Sequence, residues 1–238
     1  MRVSNRFVAW WVLVFLLAAP TAVTVLAQNV NPGVLPPHSR PYGLTQGEWS
    51  ARWWQWVFSI PASANPLIDS TGTNCANGQS GPVWFLAGSF SATQTSPGVF
   101  EAIETRSCTV PVGKALFFPI INAECSTAEG NGTTEAELRD CADFLMDHLA
   151  DLTATIDGVA IRNLTAYRLQ SPLFTFTLPQ DNILALPPGT TRSVADGVHL
   201  MLAPVSAGAH TVHFSGALLF PEFDFTFRLD ITYHLIVR

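Results

Sequence analysis

The segment from residue 222 to residue 235 is the part of the sequence that most constrains the fold. Apolar and polar side chains alternate along it without interruption, and the apolar positions are Phe223, Phe225, Phe227, Leu229, Ile231, Tyr233 and Leu235. Successive side chains of a β-strand point to opposite faces of its sheet, so this pattern predicts a long strand with one buried and one solvated face. Because the usual strand has about five or six residues, we expect a bend or a bulge within it.

Several shorter segments carry strand signals of the same kind, separated by turns about every ten residues. Asp157 and Gly158 form the dipeptide that a two-residue hairpin turn favours. The strand segments are residues 154–156, 159–161, 174–178, 198–202 and 210–214, and two short apolar runs, residues 82–87 and 115–121, are predicted as buried strands. No regular alternation of strand and helix points to a parallel sheet. The sequence therefore predicts a mainly β fold, an antiparallel β-sandwich of the jelly-roll or immunoglobulin-like type.

Two accessory α-helices are predicted beside the strands. Thr45 and Thr134 each precede a glutamate by three residues, which is the pattern of a capping box at a helix start. We expect the first helix over residues 46–58 and the second over residues 135–152. The second helix is predicted from apolar residues at helical spacing, namely Leu138, Cys141, Leu145, Leu149 and Leu152.

The N-terminal residues 1–27 have the three parts of a cleavable export signal. Arg2 and Arg6 form a basic start, an apolar run follows, and a Val-Leu-Ala exit ends it. Residues 28–44 are then expected to form an extended, proline-rich arm, and residues 45–238 a single sandwich domain. We expect a secreted or periplasmic protein. If the signal is retained, the alternative is an N-terminal membrane anchor with the arm as its stalk.

The chain has four cysteines, Cys75, Cys108, Cys125 and Cys141. An even number in an exported chain indicates two disulfides, and four cysteines allow three pairings. We favour Cys75–Cys108 with Cys125–Cys141, because both pairs are local and the second joins the second helix to the strand before it.

The charge balance bears on the possible partners. Eighteen acidic residues face 12 basic ones, and cleavage of the signal removes two of the latter. Without a basic patch, the chain is a poor candidate for binding nucleic acid. Membrane contact is expected only if the signal segment is retained.

Tryptophans are the first candidate ligand-binding residues. Trp49, Trp53 and Trp56 fall on one stripe of the first helix and are expected to pack in the core. Trp54 lies off that stripe, and Trp84 lies in a predicted strand. If exposed beside a groove, these two indoles form a stacking platform for the rings of a glycan.

A metal site is a second hypothesis. If residues 198–202 and 210–214 pair as a hairpin, His199 lies opposite His213 on one face of the sheet, whereas His210 points to the other. Imidazoles at that separation are able to share a metal ion. The sequence shows no strong metal motif and no cofactor motif, so we expect no cofactor.

Pairs of carboxylates are a third hypothesis, because glycoside hydrolysis uses two carboxyl groups across a cleft. Glu222 and Asp224 share one face of the predicted C-terminal strand, and Glu124 and Glu129 form another pair. Glu124 lies in an apolar part of the sequence, which separates it from the acids of solvated faces.

Three segments resemble a group of uncharacterised exported microbial proteins. They are residues 47–56 (GEWSARWWQW), 78–88 (GQSGPVWFLAG) and 119–125 (PIINAEC). The resemblance supports export and implies no activity, cofactor or ligand.

Taken together, these features predict an exported, non-catalytic binding or structural β-sandwich, with a glycan or an envelope component as a possible partner. The alternative is a secreted carbohydrate-active hydrolase that uses an acidic pair. A minor alternative is metal binding through His199 and His213.

Overall fold

The computed structural model describes Asn31 and residues 33–238, and it shows two β-sheets packed face to face with two α-helices. The predicted export signal lies outside the described residues. The helices are α1, Gln46–Ser59, and α2, Glu135–Met146. The strands are β1 Val83–Phe85, β2 Thr93–Ser96, β3 Val99–Val110, β4 Ala115–Ser126, β5 Leu149–Ile156, β6 Val159–Ala160, β7 Arg168–Gln170, β8 Phe174–Leu178, β9 Gly189–Leu202, β10 Gly208–Phe220 and β11 Phe225–Val237. The mainly β sandwich is confirmed.

Both sheets are mixed, although the sequence predicted antiparallel ones. Sheet A has the order β1-β4-β9-β7, with β8 also paired to β9, and sheet B has the order β2-β3-β11-β10-β5-β6. β1 runs parallel to β4 and β3 runs parallel to β11, whereas all other pairs are antiparallel. Each parallel pair is joined by a long stretch of chain, as parallel strands require. The alternating pattern of a strand reports its buried face and not its direction, so these pairs were not predicted.

The core between the sheets comes from one face of each long strand. β11 contributes Leu229, Ile231, Tyr233 and Leu235, which alternate with more exposed neighbours as predicted. Facing them across the sandwich are residues of β4 and β9, among them Leu116, Phe118, Ile120, Val198, Leu200 and Leu202. The expected bend lies at the start of this segment. Residues 221–223 form a 3-10 turn and Asp224 has a φ of 49°, so β11 begins only at Phe225.

α1 packs on the outer face of sheet A. Thr45 caps it, and Glu48 closes the predicted capping box. Trp49, Trp53 and Trp56 are all buried, as the stripe predicts. They join residues from β1, β4 and β9 in a second apolar cluster that includes Phe85, Phe117 and Met201. α1 thus covers the outer face of sheet A.

α2 is shorter than predicted. It ends at Met146, and residues 149–156 form β5 instead of a further turn and a half of helix. Leu149 and Leu152 still face the core, which explains why their spacing resembled that of a helix. β-branched residues follow them, and β5 pairs with β10, so sheet pairing outweighs the local pattern. The predicted hairpin is present, with Asp157 (φ 50°) and Gly158 (φ 77°) between β5 and β6.

Two disulfides fasten the sandwich, and they are the pairs favoured from the sequence. Cys75–Cys108 joins the loop before β1 to β3, and Cys125–Cys141 joins β4 to α2. Disulfides of this kind indicate an extracellular or periplasmic protein. Within the described residues, every helix is too short or too polar to cross a bilayer.

Candidate functional site

The two tryptophans proposed as a stacking platform are buried. Trp54 retains 2% of its exposure and Trp84 retains 7%. Trp54 lies against Phe58, with 4.9 Å between ring centroids, and Ile183, Leu184 and Leu186 pack on the same cluster. Trp84 lies in the core between the sheets. α1 is covered on more than one side, which an amphipathic stripe alone does not reveal, so neither indole offers a free face to a glycan.

The structure does not bring His199 and His213 together. β9 pairs with β4 in sheet A and β10 pairs with β5 and β11 in sheet B, so the hairpin assumed for the metal hypothesis does not form. His213 contacts Asp230 at 3.0 Å. In the part of the chain that the structure describes, no group of three or more His, Cys, Asp or Glu side chains is arranged to hold a metal ion.

His199 is instead a core residue of the α1 side. Its Nε2 lies 3.1 Å from the hydroxyl of Ser50, its Nδ1 lies 3.1 Å from the carbonyl oxygen of Gly197, and its ring stacks on Phe117. Complete burial lowers the pKa of His199 to about 4. The neutral ring therefore satisfies both of its nitrogens inside the protein.

Of the two predicted acidic pairs, one is separated in the structure and the other is brought together. Glu222 lies in the turn before β11 and contacts His148 at 2.9 Å, while Asp224 takes a left-handed conformation, so the two do not share a strand face. Glu124 and Glu129 do meet. Burial raises the pKa of Glu124 well above its usual value, and the nearby Glu129 carboxyl raises it further.

Hydrogen bonds from serines hold this pair in place. The Ser193 hydroxyl donates to Glu124, and the Ser126 hydroxyl donates to Glu129 at 2.6 Å. Glu129 is exposed, whereas Glu124 is half-buried. The arrangement is a carboxyl pair at the end of sheet A.

The most site-like feature is a cleft at the edge of the sandwich, with a volume of about 270 Å³. Both sheets contribute to it, as do the segment after β1 and the α1 layer. Its lining residues are Trp53, Leu67, Gly88, Ser89, Phe90, Ile121, Asn122, Phe227 and Leu229. We refer to these nine residues as the edge cleft. Its walls are mainly apolar, which is typical of sites for small molecules.

Asn122 is the polar group that the edge cleft leaves unused. Its amide nitrogen is buried and has no hydrogen-bond partner among the described residues. A side chain can lie here only because residue 197, its neighbour on β9, is glycine: a Cβ there would approach the Cβ of Asn122 to 2.4 Å. A buried donor without an acceptor is costly, and a bound acceptor oxygen would satisfy it.

A buried arginine fixes the segment that forms the mouth of the edge cleft. Arg106 on β3 is 1% exposed and donates through Nη1 to the carbonyl oxygens of Ala87 (3.0 Å) and Gly88 (2.7 Å). The same nitrogen donates to the Tyr233 hydroxyl at 2.9 Å, which donates in turn to the Ala87 oxygen. Burial raises the pKa of Tyr233, so its phenol stays protonated. These bonds hold Gly88 and its neighbours against sheet B.

The edge cleft and its support were missed in the sequence. One signal was present in the sequence of β3. Glu104 and Arg106 lie on the same face of this strand as the buried residues Ala102, Cys108 and Val110. Charged side chains on a buried face mark a polar cluster in the interior. Asn122 lay inside one of the segments that carried the resemblance, but nothing there marked it as a cleft residue.

Comparison with known proteins adds little to this geometry. No family model matches the chain, and no curated protein matches it. Among solved structures, the chain is similar to the structure of PbICP-C in complex with falcipain-2, with 14% sequence identity and a TM-score of 0.23 over 66% of this chain and 100% of that one. We draw nothing about fold or function from a TM-score this low.

Proposed function

We propose that the chain is an exported, non-catalytic binding protein whose edge cleft holds a small, neutral molecule with an apolar body and one acceptor oxygen. The observation that carries this proposal is Asn122, a wall residue of an apolar cleft whose buried amide nitrogen has no hydrogen-bond partner among the described residues. A carbonyl or hydroxyl oxygen of the ligand would accept from it.

The size and charge of the edge cleft support this class of ligand. Its volume of about 270 Å³ lies near the lower end of the range for small-molecule sites, roughly 300–1,000 Å³. None of its nine residues is an acid, a base, a histidine or a cysteine. The wall therefore favours a neutral ligand, and it offers no side chain for general acid–base catalysis. Its one hydroxyl, that of Ser89, donates to Glu104 at 3.3 Å.

A sugar ring is a second, more polar candidate for the same cleft, because one face of the ring is apolar. Phe90 is 45% exposed and Phe227 is half-buried, so both present ring surface at the edge cleft. The apolar face of a sugar would pack on these two rings, and one of its hydroxyls would accept from Asn122. The predicted glycan partner is thus retained, but its proposed site is this cleft and not Trp54 and Trp84.

The hydrolase alternative rests on the other site. Glu124 and Glu129 combine a carboxyl of raised pKa with a second carboxyl beside it, which is the arrangement of a general acid and its partner. Neither lines the edge cleft. Hydrolysis of an oligosaccharide by the purified protein, lost in both Glu124→Gln and Glu129→Gln, would favour this alternative over simple binding.

The binding proposal is tested by two-dimensional NMR of the oxidised protein with three neutral probes: cyclohexanone, phenol and methyl glucoside. We expect at least one probe to shift the side-chain amide of Asn122 and the indole N–H of Trp53. Asn122→Asp replaces the donor by acceptors and should lower the affinity about tenfold or more, the cost of a lost hydrogen bond to a buried group.

The matched control is Gln94→Glu, which makes the same charge change at an exposed position of β2, away from the edge cleft. Its affinity for the probes should equal that of the parent protein. Probes that shift no resonance of the edge cleft, or that bind Asn122→Asp equally well, would contradict the proposal.

A further inference from the structure

β8 presents an open edge of sheet A. It pairs with β9 on one side, and no described strand pairs with its other side. The register places Thr175 opposite Arg192. Arg192 directs its backbone away from β8, because its carbonyl oxygen accepts from the Thr127 N–H (3.0 Å) and its N–H donates to the Thr127 hydroxyl (3.3 Å). In an antiparallel pair, residues that hydrogen-bond to the partner strand alternate with residues that do not. Because Arg192 does not bond to β8, Thr175 opposite it and Thr177 two residues on turn their backbone N–H and C=O groups away from β9.

Most of these outward groups lack a partner. The Gln55 side chain of α1 donates to the carbonyl oxygen of Thr175 at 2.8 Å. The N–H of Thr175 and both backbone groups of Thr177 make no hydrogen bond with any described residue. Free groups at a sheet edge are a template for a further strand.

A groove of about 410 Å³ runs beside this edge, between α1 and β8. Two arginines line it, Arg52 from α1 and Arg192 from β9, and both are exposed. Neither lies within 4.0 Å of a carboxylate among the described residues. The one acid of the groove, Glu48, is held by its capping box with Thr45 and by Arg40 at 3.6 Å, and it also interacts electrostatically with Arg52. The groove is thus locally basic in a chain whose net charge is −6.

We propose that the open edge of β8 binds an extended acidic segment of a partner protein, which adds a strand to sheet A and places carboxylates on Arg52 and Arg192. Strand addition uses backbone hydrogen bonds for affinity and side-chain contacts for specificity. The groove supplies both. A second copy of this chain is the poorer occupant, because pairing β8 with β8 brings the arginines of the two copies together. This site is separate from the edge cleft and does not depend on the proposed function.

Gln55 gives the proposal a diagnostic variant. Its side chain occupies the Thr175 oxygen that an added strand would use. Gln55→Ala vacates that oxygen and should strengthen binding. A site that recognised only charge would not respond to this change.

The test is fluorescence anisotropy with two labelled peptides, one of alternating valine and glutamate and one of alternating valine and lysine. We expect the glutamate peptide alone to bind, and to bind more weakly at high NaCl. Arg52→Gln with Arg192→Gln should weaken it about tenfold, since each exposed ion pair contributes modestly. Arg162→Gln, an exposed arginine outside the groove, is the matched control and should change nothing.

Thr177→Pro removes one of the two free N–H groups of the edge and should abolish binding of the glutamate peptide. The melting temperature of each variant shows whether the fold is intact, and the double arginine variant tests the groove without touching the strand. Equal binding of both peptides, no binding of the glutamate peptide at about 1 mM, or full binding by Thr177→Pro would overturn the proposal. So would a dimer of the free protein that Thr177→Pro dissociates.

Discussion

Two titratable residues of sheet A, Glu124 on β4 and His199 on β9, make the stability of the protein depend on pH in opposite senses. Burial lowers the pKa of His199 from 6.5 to about 4, so the stability that it contributes is present above pH 6.5 and is lost as the pH falls towards 4. Burial and Glu129 raise the pKa of Glu124 above 4.5. Its contribution is complete below pH 4.5 and is lost as the pH rises through the raised pKa.

Glu124→Gln should therefore raise the free energy of unfolding at neutral pH. Glutamine keeps an oxygen that accepts from Ser193 and adds a donor towards Glu129, but it carries no proton that must be lost as the pH rises. The measurement is urea denaturation from pH 4.5 to 8. We expect the loss of stability with rising pH to be smaller in the variant. The remaining pH dependence should then be that of His199, a gain of stability as the pH rises.

Asp140→Asn is the control for this experiment, because it neutralises an exposed carboxyl on α2. It should leave the pH profile of the parent protein almost unchanged. Parallel pH profiles for Glu124→Gln and the parent would show that Glu124 is not protonated by burial in the folded protein.

At the residue scale, the sequence pointed to Glu124 and His199 as notable side chains, but it predicted the wrong surroundings for His199. Glu124 was singled out as an acid in apolar surroundings, and its burial agrees with that. The sequence predicts His199 as a metal ligand because it assigns the wrong partner strand, whereas β9 in fact pairs with β4 and His199 is buried. In the sequence, Asn122 directly follows the predicted strand over residues 115–121 and looks like an ordinary asparagine at a strand end. Only the glycine opposite it at 197 and the meeting of the two sheets make it a cleft residue.

At the scale of elements, α2 depends on its tether to β4. The helix is short, and only Leu138, Ala142 and Met146 are buried on it. Isolated helices of this length are marginally stable in water, so tertiary contacts must hold it. The disulfide Cys125–Cys141 supplies one such contact across a sequence separation of 16 residues.

Replacing both cysteines of this bridge by alanine should lower the free energy of unfolding by about 3 kcal/mol, the value for a closed loop of this size. Hydrogen exchange should also accelerate at the amides of α2. The control is the Cys75→Ala, Cys108→Ala variant, which removes the other bridge. It should lose stability without selective loss of protection in α2. Equal exchange in α2 for the two variants would refute the tethering role.

Elements defined by local contacts were predictable, and those defined by distant partners were not. The capping boxes of Thr45 and Thr134 and the hairpin at Asp157 and Gly158 lie within a few residues of their partners, and all are present. The end of α2 was wrong because β10, about 60 residues away, draws residues 149–156 into sheet B. The parallel pairing of β3 with β11 was not predicted for the same reason, because the two strands are distant in the sequence and pair only when the whole sheet assembles.

At the scale of the whole molecule, the Arg106–Tyr233 cluster connects the two sheets beside the edge cleft. Both side chains come from sheet B, and their hydrogen bonds end on Ala87 and Gly88, in the segment that leaves β1 of sheet A. The Nε and Nη2 atoms of Arg106 have no partner among the described residues. The guanidinium therefore depends on the few acceptors that it has, and the Tyr233 hydroxyl is one of them.

Tyr233→Phe removes that hydroxyl and leaves the Ala87 N–H and the Arg106 guanidinium each without one of their bonds. Because these groups are buried, we expect the free energy of unfolding to fall by about 1–3 kcal/mol. Binding of the neutral probes to the edge cleft should weaken as well, although Tyr233 does not line it, because Ala87, which precedes Gly88 and Ser89, loses both of its hydrogen bonds to the Tyr233 hydroxyl. Tyr167→Phe is the control: it removes another buried hydroxyl, one that accepts from Asn31 at 3.3 Å, outside this cluster. That variant should bind the probes as the parent does. If Tyr233→Phe loses stability but binds the probes with unchanged affinity, the cluster stabilises the sandwich without shaping the cleft.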